Sequence, residues 1–77
     1  MTDIIERKKL RRLAELEGFT TVTEMLESTC FNGAVPSICM EPDCDFTADY
    51  EPDQDQGWCE ICDKNTVKSC LIIAGWI

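Results

Sequence analysis

The sequence has no histidine, one tyrosine and four glycines among its 77 residues. Without histidine, mixed cysteine/histidine metal sites and Ser/His/Asp catalytic sets are excluded. No glycine-rich phosphate-binding loop is present either. Basic residues are scarce, seven against fifteen acids, for a net charge of −8. Five of the seven (Arg7, Lys8, Lys9, Arg11, Arg12) fall in residues 1–17; beyond them only Lys64 and Lys68 face eleven acids. Such a field repels phosphate backbones, so direct DNA or RNA binding is disfavoured. Long hydrophobic runs are absent: the longest apolar stretch, residues 70–77, is too short to span a bilayer. Residues 1–9 carry charge with no apolar core or small-residue cleavage site, which predicts no signal peptide. The expected location is the cytoplasm, without membrane attachment, where reducing conditions disfavour disulfides.

What the chain does have is cysteine, six in all. A domain of this length buries only about 60–65% of the surface its unfolded chain exposes, so it usually needs a staple. Four cysteines supply a candidate. Cys39-Met40-Glu41-Pro42-Asp43-Cys44 is C-x4-C and Cys59-Glu60-Ile61-Cys62 is C-x2-C, with fourteen residues between the pairs. Short C-x2–4-C loops bend two sulfurs onto one ion, and two such loops complete a tetrahedron. The spacing predicts one structural Zn²⁺ held by Cys39, Cys44, Cys59 and Cys62. Disulfides and an iron site are the weaker alternatives. Four protein ligands leave no open position for water, so the predicted site stabilises and does not catalyse. Cys59-x-x-Cys62 alone also suits thiol–disulfide exchange, but a second cysteine pair beside it makes a shared metal the simpler account. Cys30 and Cys70 are expected to be buried apolar thiols, with a redox pair as the less favoured reading.

Residues 41–63 hold nine acids and no base. Asp53-x-Asp55 looks superficially like a calcium loop, but its fifth position is Gly57 and its twelfth is Lys64, so calcium is rejected. The stretch is expected to be a solvated acidic surface, with contact to a basic partner as the alternative. The basic side of the first helix is likewise expected to be solvated, with i, i+4 pairs Asp3–Arg7 and Arg11–Glu15.

Local patterns give the element order. Asp3 is placed to cap a helix over residues 4–17, with Ile5, Leu10, Leu13, Ala14 and Leu16 on its apolar face and Gly18 ending it. Thr21-Val22-Thr23-Glu24 fits a capping box for a short helix over residues 22–28, in which Val22, Met25 and Leu26 turn inward and Phe19 packs near Met25. Asn32-Gly33 marks a turn. Residues 35–39 and 45–51 read as strands, the second with Phe46, Ala48 and Tyr50 on one face. Residues 52–57 are turn chemistry. In the tail, Val67, Cys70, Leu71 and Ala74 fall at i, i+3, i+4 and i+7, which favours a helix capped by Asn65 or Thr66; a buried strand fits the same residues.

Val35-Pro36-x-Ile38-Cys39, Cys44-x-Phe46-Thr47, Glu51-Pro52-Asp53-Gln54-x-x-Gly57-Trp58-Cys59-Glu60-x-Cys62, Thr66-Val67-x-Ser69 and Ala74-Gly75 together resemble a group of small bacterial and phage proteins. The resemblance extends over most of the chain, including the two upstream helices. It implies the same four cysteine ligands and carries no activity; Cys30 and Cys70 lie outside its motif. The expected architecture is a single domain over residues 1–77. It is a small α+β unit in which two helices (residues 1–29) pack on a zinc ribbon, a β-hairpin with two cysteine loops, closed by an apolar tail (residues 30–77). The expected function is non-enzymatic: a zinc-stabilised protein-interaction or regulatory module. A nucleic-acid-binding ribbon and an acidic nucleic-acid mimic that inhibits a host protein are the alternatives. Val67, Leu71, Ile72, Ile73, Trp76 and Ile77 are expected to exceed what the core hides and to offer a patch to a partner or a second copy.

Overall fold

The computed structural model describes residues 4–76. Helix α1 spans Ile4–Leu16 and α2 spans Val22–Thr29; strands β1 (Val35–Cys39), β2 (Thr47–Tyr50), β3 (Gly57–Cys59) and β4 (Lys64–Ser69) follow, and α3 (Cys70–Ile73) ends the order. The sheet is antiparallel throughout, in the order β2-β1-β4-β3. No helix among the described residues is long and apolar enough to cross a membrane.

Helix α1 stops where its sequence says it should. Gly18 takes φ +83, a backbone region that L side chains rarely adopt. Its N–H donates to Glu15 O (3.2 Å) and the Phe19 N–H to Ala14 O (2.8 Å), the two bonds of a Schellman cap. The Asp3 cap and the Asp3–Arg7 pair lie outside the described residues. Helix α2 begins at Thr21, whose hydroxyl accepts from Glu24 N at 3.1 Å. The Glu24 carboxylate reaches back to the N–H of Thr20 (3.3 Å) rather than of Thr21, a capping box displaced by one residue.

The buried side of α1 differs from the expected one. Leu10, Leu13 and Ala14 are buried, but Ile5 and Leu16 are exposed, and Lys9 takes the remaining interior position at 5 % exposure. Arg11 and Glu15 do not pair; Arg12 instead reaches Asp45 across 33 residues, at 3.1 Å.

The tail is a second correction. Residues 64–69 form a strand, and the helix is confined to Cys70–Ile73. Strand β4 sits between β1 and β3, so both its edges are hydrogen-bonded, and that ladder outweighs the helical spacing of Val67, Cys70 and Leu71. Ser69 caps α3, in place of Asn65 or Thr66: its hydroxyl accepts from Ile72 N (3.1 Å) and donates to Pro52 O. Its own N–H donates to Gln54 O at 2.9 Å, so one buried serine ties the 52–57 turn to the sheet. Of the six tail residues expected to exceed the core, Val67, Leu71 and Ile73 are buried, Ile72 is partly covered, Trp76 is exposed, and Ile77 lies outside the described residues. Further exposed apolar side chains lie outside the tail, Phe31 and Ile61 among them.

In place of one hairpin there are two, β1–β2 and β3–β4, joined along β1 and β4. Strands β1 and β3 both run antiparallel to β4, and therefore parallel to one another. The loop leaving Cys39 and the loop leaving Cys59 consequently emerge at the same end of the sheet. Gly57 makes this packing possible: a Cβ there would lie 2.9 Å from the Tyr50 ring and 3.1 Å from Val67 Cβ.

Candidate metal centre

The strand ends deliver the cysteines. Cys39 closes β1 and pairs with Val67 of β4, while Cys59 closes β3 and pairs with Lys64. Cys44 and Cys62 follow on the two loops. The first loop turns through a Cys44 N–H to Glu41 O bond (3.1 Å). The second turns through an Asp63 N–H to Cys59 O bond (2.9 Å), with Asp63 in the left-handed region at φ 59. Asp is one of the few side chains that enter that region readily. Glu41 and Lys64 join the loops at the surface, 3.8 Å apart.

All four sulfurs lie within 4.8 Å of one another. Cys39 and Cys62 Sγ are 3.7 Å apart, Cys44 and Cys59 Sγ 3.6 Å. A disulfide requires about 2.05 Å. Sulfurs set tetrahedrally about 2.3 Å from a central ion stand about 3.8 Å apart. The donor set therefore fits a thiophilic ion, and Cys39, Cys44, Cys59 and Cys62 are the residues that would hold it. Cys39, Cys44 and Cys59 are buried and Cys62 is half-buried. The surface over the site is lined by Glu41, Pro42, Asp43 and Ile61 together with Lys64.

A backbone hydrogen bond already favours negative sulfur at Cys59. The Cys62 N–H donates to Cys59 Sγ at 3.3 Å, and Thr66 Oγ1 stands 3.0 Å from Cys39 Sγ. Burial pushes the Cys59 thiol up, but the Cys62 amide and the neighbouring thiols outweigh it, and its pKa is lowered to about 7. Burial drives Cys62 the other way, reinforced by the surrounding thiols, up to about 12. At Cys44 the Phe46 amide pulls down, while burial and the bond to Cys59 leave the thiol raised. The raised thiols of Cys44 and Cys62 oppose full ionisation of the cluster, an effect that a cation would offset.

The remaining cysteines stand apart from this group. Cys70 is buried in the apolar core, its Sγ 3.8 Å from Thr29 Oγ1, and burial raises its pKa. Cys30 is half-buried and directs its thiol toward Glu27 O at 3.5 Å. The residue that sequence reasoning missed is Lys9. Its ammonium donates to the Cys44 carbonyl, on the ligand loop itself. Nothing in the local pattern marked it, because a lysine beside Arg7, Lys8, Arg11 and Arg12 reads as one more solvated base.

Compared with family models, curated proteins and solved structures, the chain matches none of them.

Proposed function

We propose that the chain is a non-enzymatic zinc-ribbon module, in which one Zn²⁺ bound by Cys39, Cys44, Cys59 and Cys62 holds the fold and the folded surface serves a protein partner. The observation that carries the reading is the convergence of four sulfurs from two loops at one end of the sheet, within 4.8 Å of one another. Zinc suits an all-sulfur tetrahedral set, and four protein ligands leave no site for a reacting water. The ion's place in this module is therefore structural. The same four cysteines are those implied by the resemblance to the small bacterial and phage proteins.

A protein partner suits the surface better than nucleic acid does. Net charge is −8 before any thiolate forms, and four thiolates around a divalent ion lower it by about two more. Phe31 at 96 % exposure and Ile61 at 71 % are apolar side chains open to contact.

Native mass spectrometry tests the metal. The expected result is one zinc per chain, with EDTA collapsing the dispersed NMR signals of at least residues 35–64. A metal-free chain that keeps a folded spectrum after chelation would overturn the reading.

A further inference from the structure

Lys9 is the observation the metal reading does not absorb. Its side chain is almost fully buried, at 5 % exposure, in a helix that has exposed positions to spare for its other bases. Burying an ammonium is costly unless a compensating charge or dipole meets it. The partner found at hydrogen-bonding distance is the neutral carbonyl of Cys44. The ion pairs Arg12–Asp45 and Lys64–Glu41 do not include Lys9. A zinc ion with four thiolate ligands carries two net negative charges, and Cys44 supplies one of those sulfurs.

We propose that Lys9 is the outer cation of the metal centre: its buried ammonium, held on the Cys44 carbonyl, offsets the excess negative charge of the four-thiolate ion and makes α1 part of the site. Arg12, one turn further along the helix, grips the adjacent residue Asp45 at 3.1 Å. Helix α1 thereby holds two consecutive residues of the first cysteine loop, one through the buried Lys9 and one through the half-exposed Arg12. Coupling of this kind is reciprocal: whatever α1 adds to metal affinity, the metal adds to the docking of α1. Loss of the ion then loosens the helix that contributes Leu10 and Leu13 to the core, well outside the cysteine loops.

This inference rests on the metal reading, and one experiment separates the two. Zinc affinity is measured by chelator competition for the wild-type chain, Lys9→Met, Lys9→Arg and Lys8→Met. Lys8 is exposed and its removal changes net charge equally. Lys9→Met is expected to weaken zinc binding about 10–100-fold, as loss of an outer-shell partner does. Lys8→Met is expected to stay within about threefold of wild type, since solvent and salt screen its charge. Equal affinities for Lys9→Met and Lys8→Met would overturn the role of Lys9 and leave the metal site standing. A wild-type chain that takes up no zinc would remove both readings. Should Lys9→Met not fold even in excess zinc, Lys9→Arg decides: a folded, zinc-binding variant that keeps the cation supports the proposal, and anything less overturns it.

Discussion

The described residues form two interiors, and they are built differently. One gathers Leu10, Leu13, Ala14, Met25, Leu26, Val35, Ile38, Cys70, Leu71 and Ile73 between the helices and the sheet. The other, at the cysteine end, buries Cys39, Cys44 and Cys59 around a single aliphatic side chain, Val67, with Phe46, Tyr50 and Cys62 only partly covered. Each large aliphatic buried in the first contributes about 1.5–3 kcal/mol. The second holds one such side chain, Val67, and its thiols oppose one another once ionised. Apolar burial serves one end of the chain, whereas on the proposed reading an ion would draw the loops of the other together.

Removing the ion is the sharpest way to break that contrast. Structural zinc contributes about 10–16 kcal/mol in small zinc domains, against about 5–15 kcal/mol for the whole stability of a typical domain. Cys59→Ser is expected to abolish stoichiometric zinc binding, whereas Cys70→Ser leaves it intact; mass spectrometry under native conditions reads both. Acidification acts on the same term. The free site keeps Cys44 and Cys62 protonated at neutral pH, since both are raised, and Cys59 gains its proton below about 7. Zinc must displace at least two protons, so its affinity is expected to fall by about 100-fold or more for each pH unit lost, as read by chelator competition between pH 8 and 6.

The apolar interior yields the next largest effect. Leu13 is fully buried, and Leu13→Ala is expected to cost about 2–5 kcal/mol in chemical denaturation of the zinc-loaded protein. Stoichiometric zinc uptake should survive, provided the variant stays folded. A Leu13→Ala chain that loses less than about 0.5 kcal/mol would show that the metal end alone sets stability, and that the two interiors are not independent contributors.

Gly57 tests where the two ends meet, and its effect is the smallest. An alanine Cβ there intrudes on the Tyr50 ring and Val67, so Gly57→Ala is expected to cost about 1–3 kcal/mol through overpacking. The Tyr50 hydroxyl, which donates to Trp58 O at 2.7 Å, should shift its NMR signal as the ring is pushed aside. An unchanged Tyr50 environment would mean that β2 and β3 yield without strain.

Much of this was legible in the chain because it rests on local chemistry. Gly18 ends α1 and Thr21 begins α2 through bonds that span only a few residues. The spacing of Cys39, Cys44, Cys59 and Cys62 is likewise a local signal, since each loop presents its own two sulfurs. The errors came where a distant partner decided the outcome. Residues 66–69 carry helical spacing, yet hydrogen bonds from β1 on one side and β3 on the other make them a strand. Ile5 and Leu16 are apolar but stay about half exposed, while Lys9 is charged and is drawn inside by a carbonyl 35 residues away.

The sequence by itself determined the caps at Gly18 and Thr21, the turns and the two cysteine loops, because each depends on side chains and backbone groups within a few residues of one another. Tertiary structure alone decided that four strands close into one sheet, that both loops leave it at the same end, and that a lysine rather than an isoleucine occupies the inner face of α1. Those outcomes depend on which surfaces meet after the chain has folded back on itself, and no local pattern of hydrophobicity or charge carries that information.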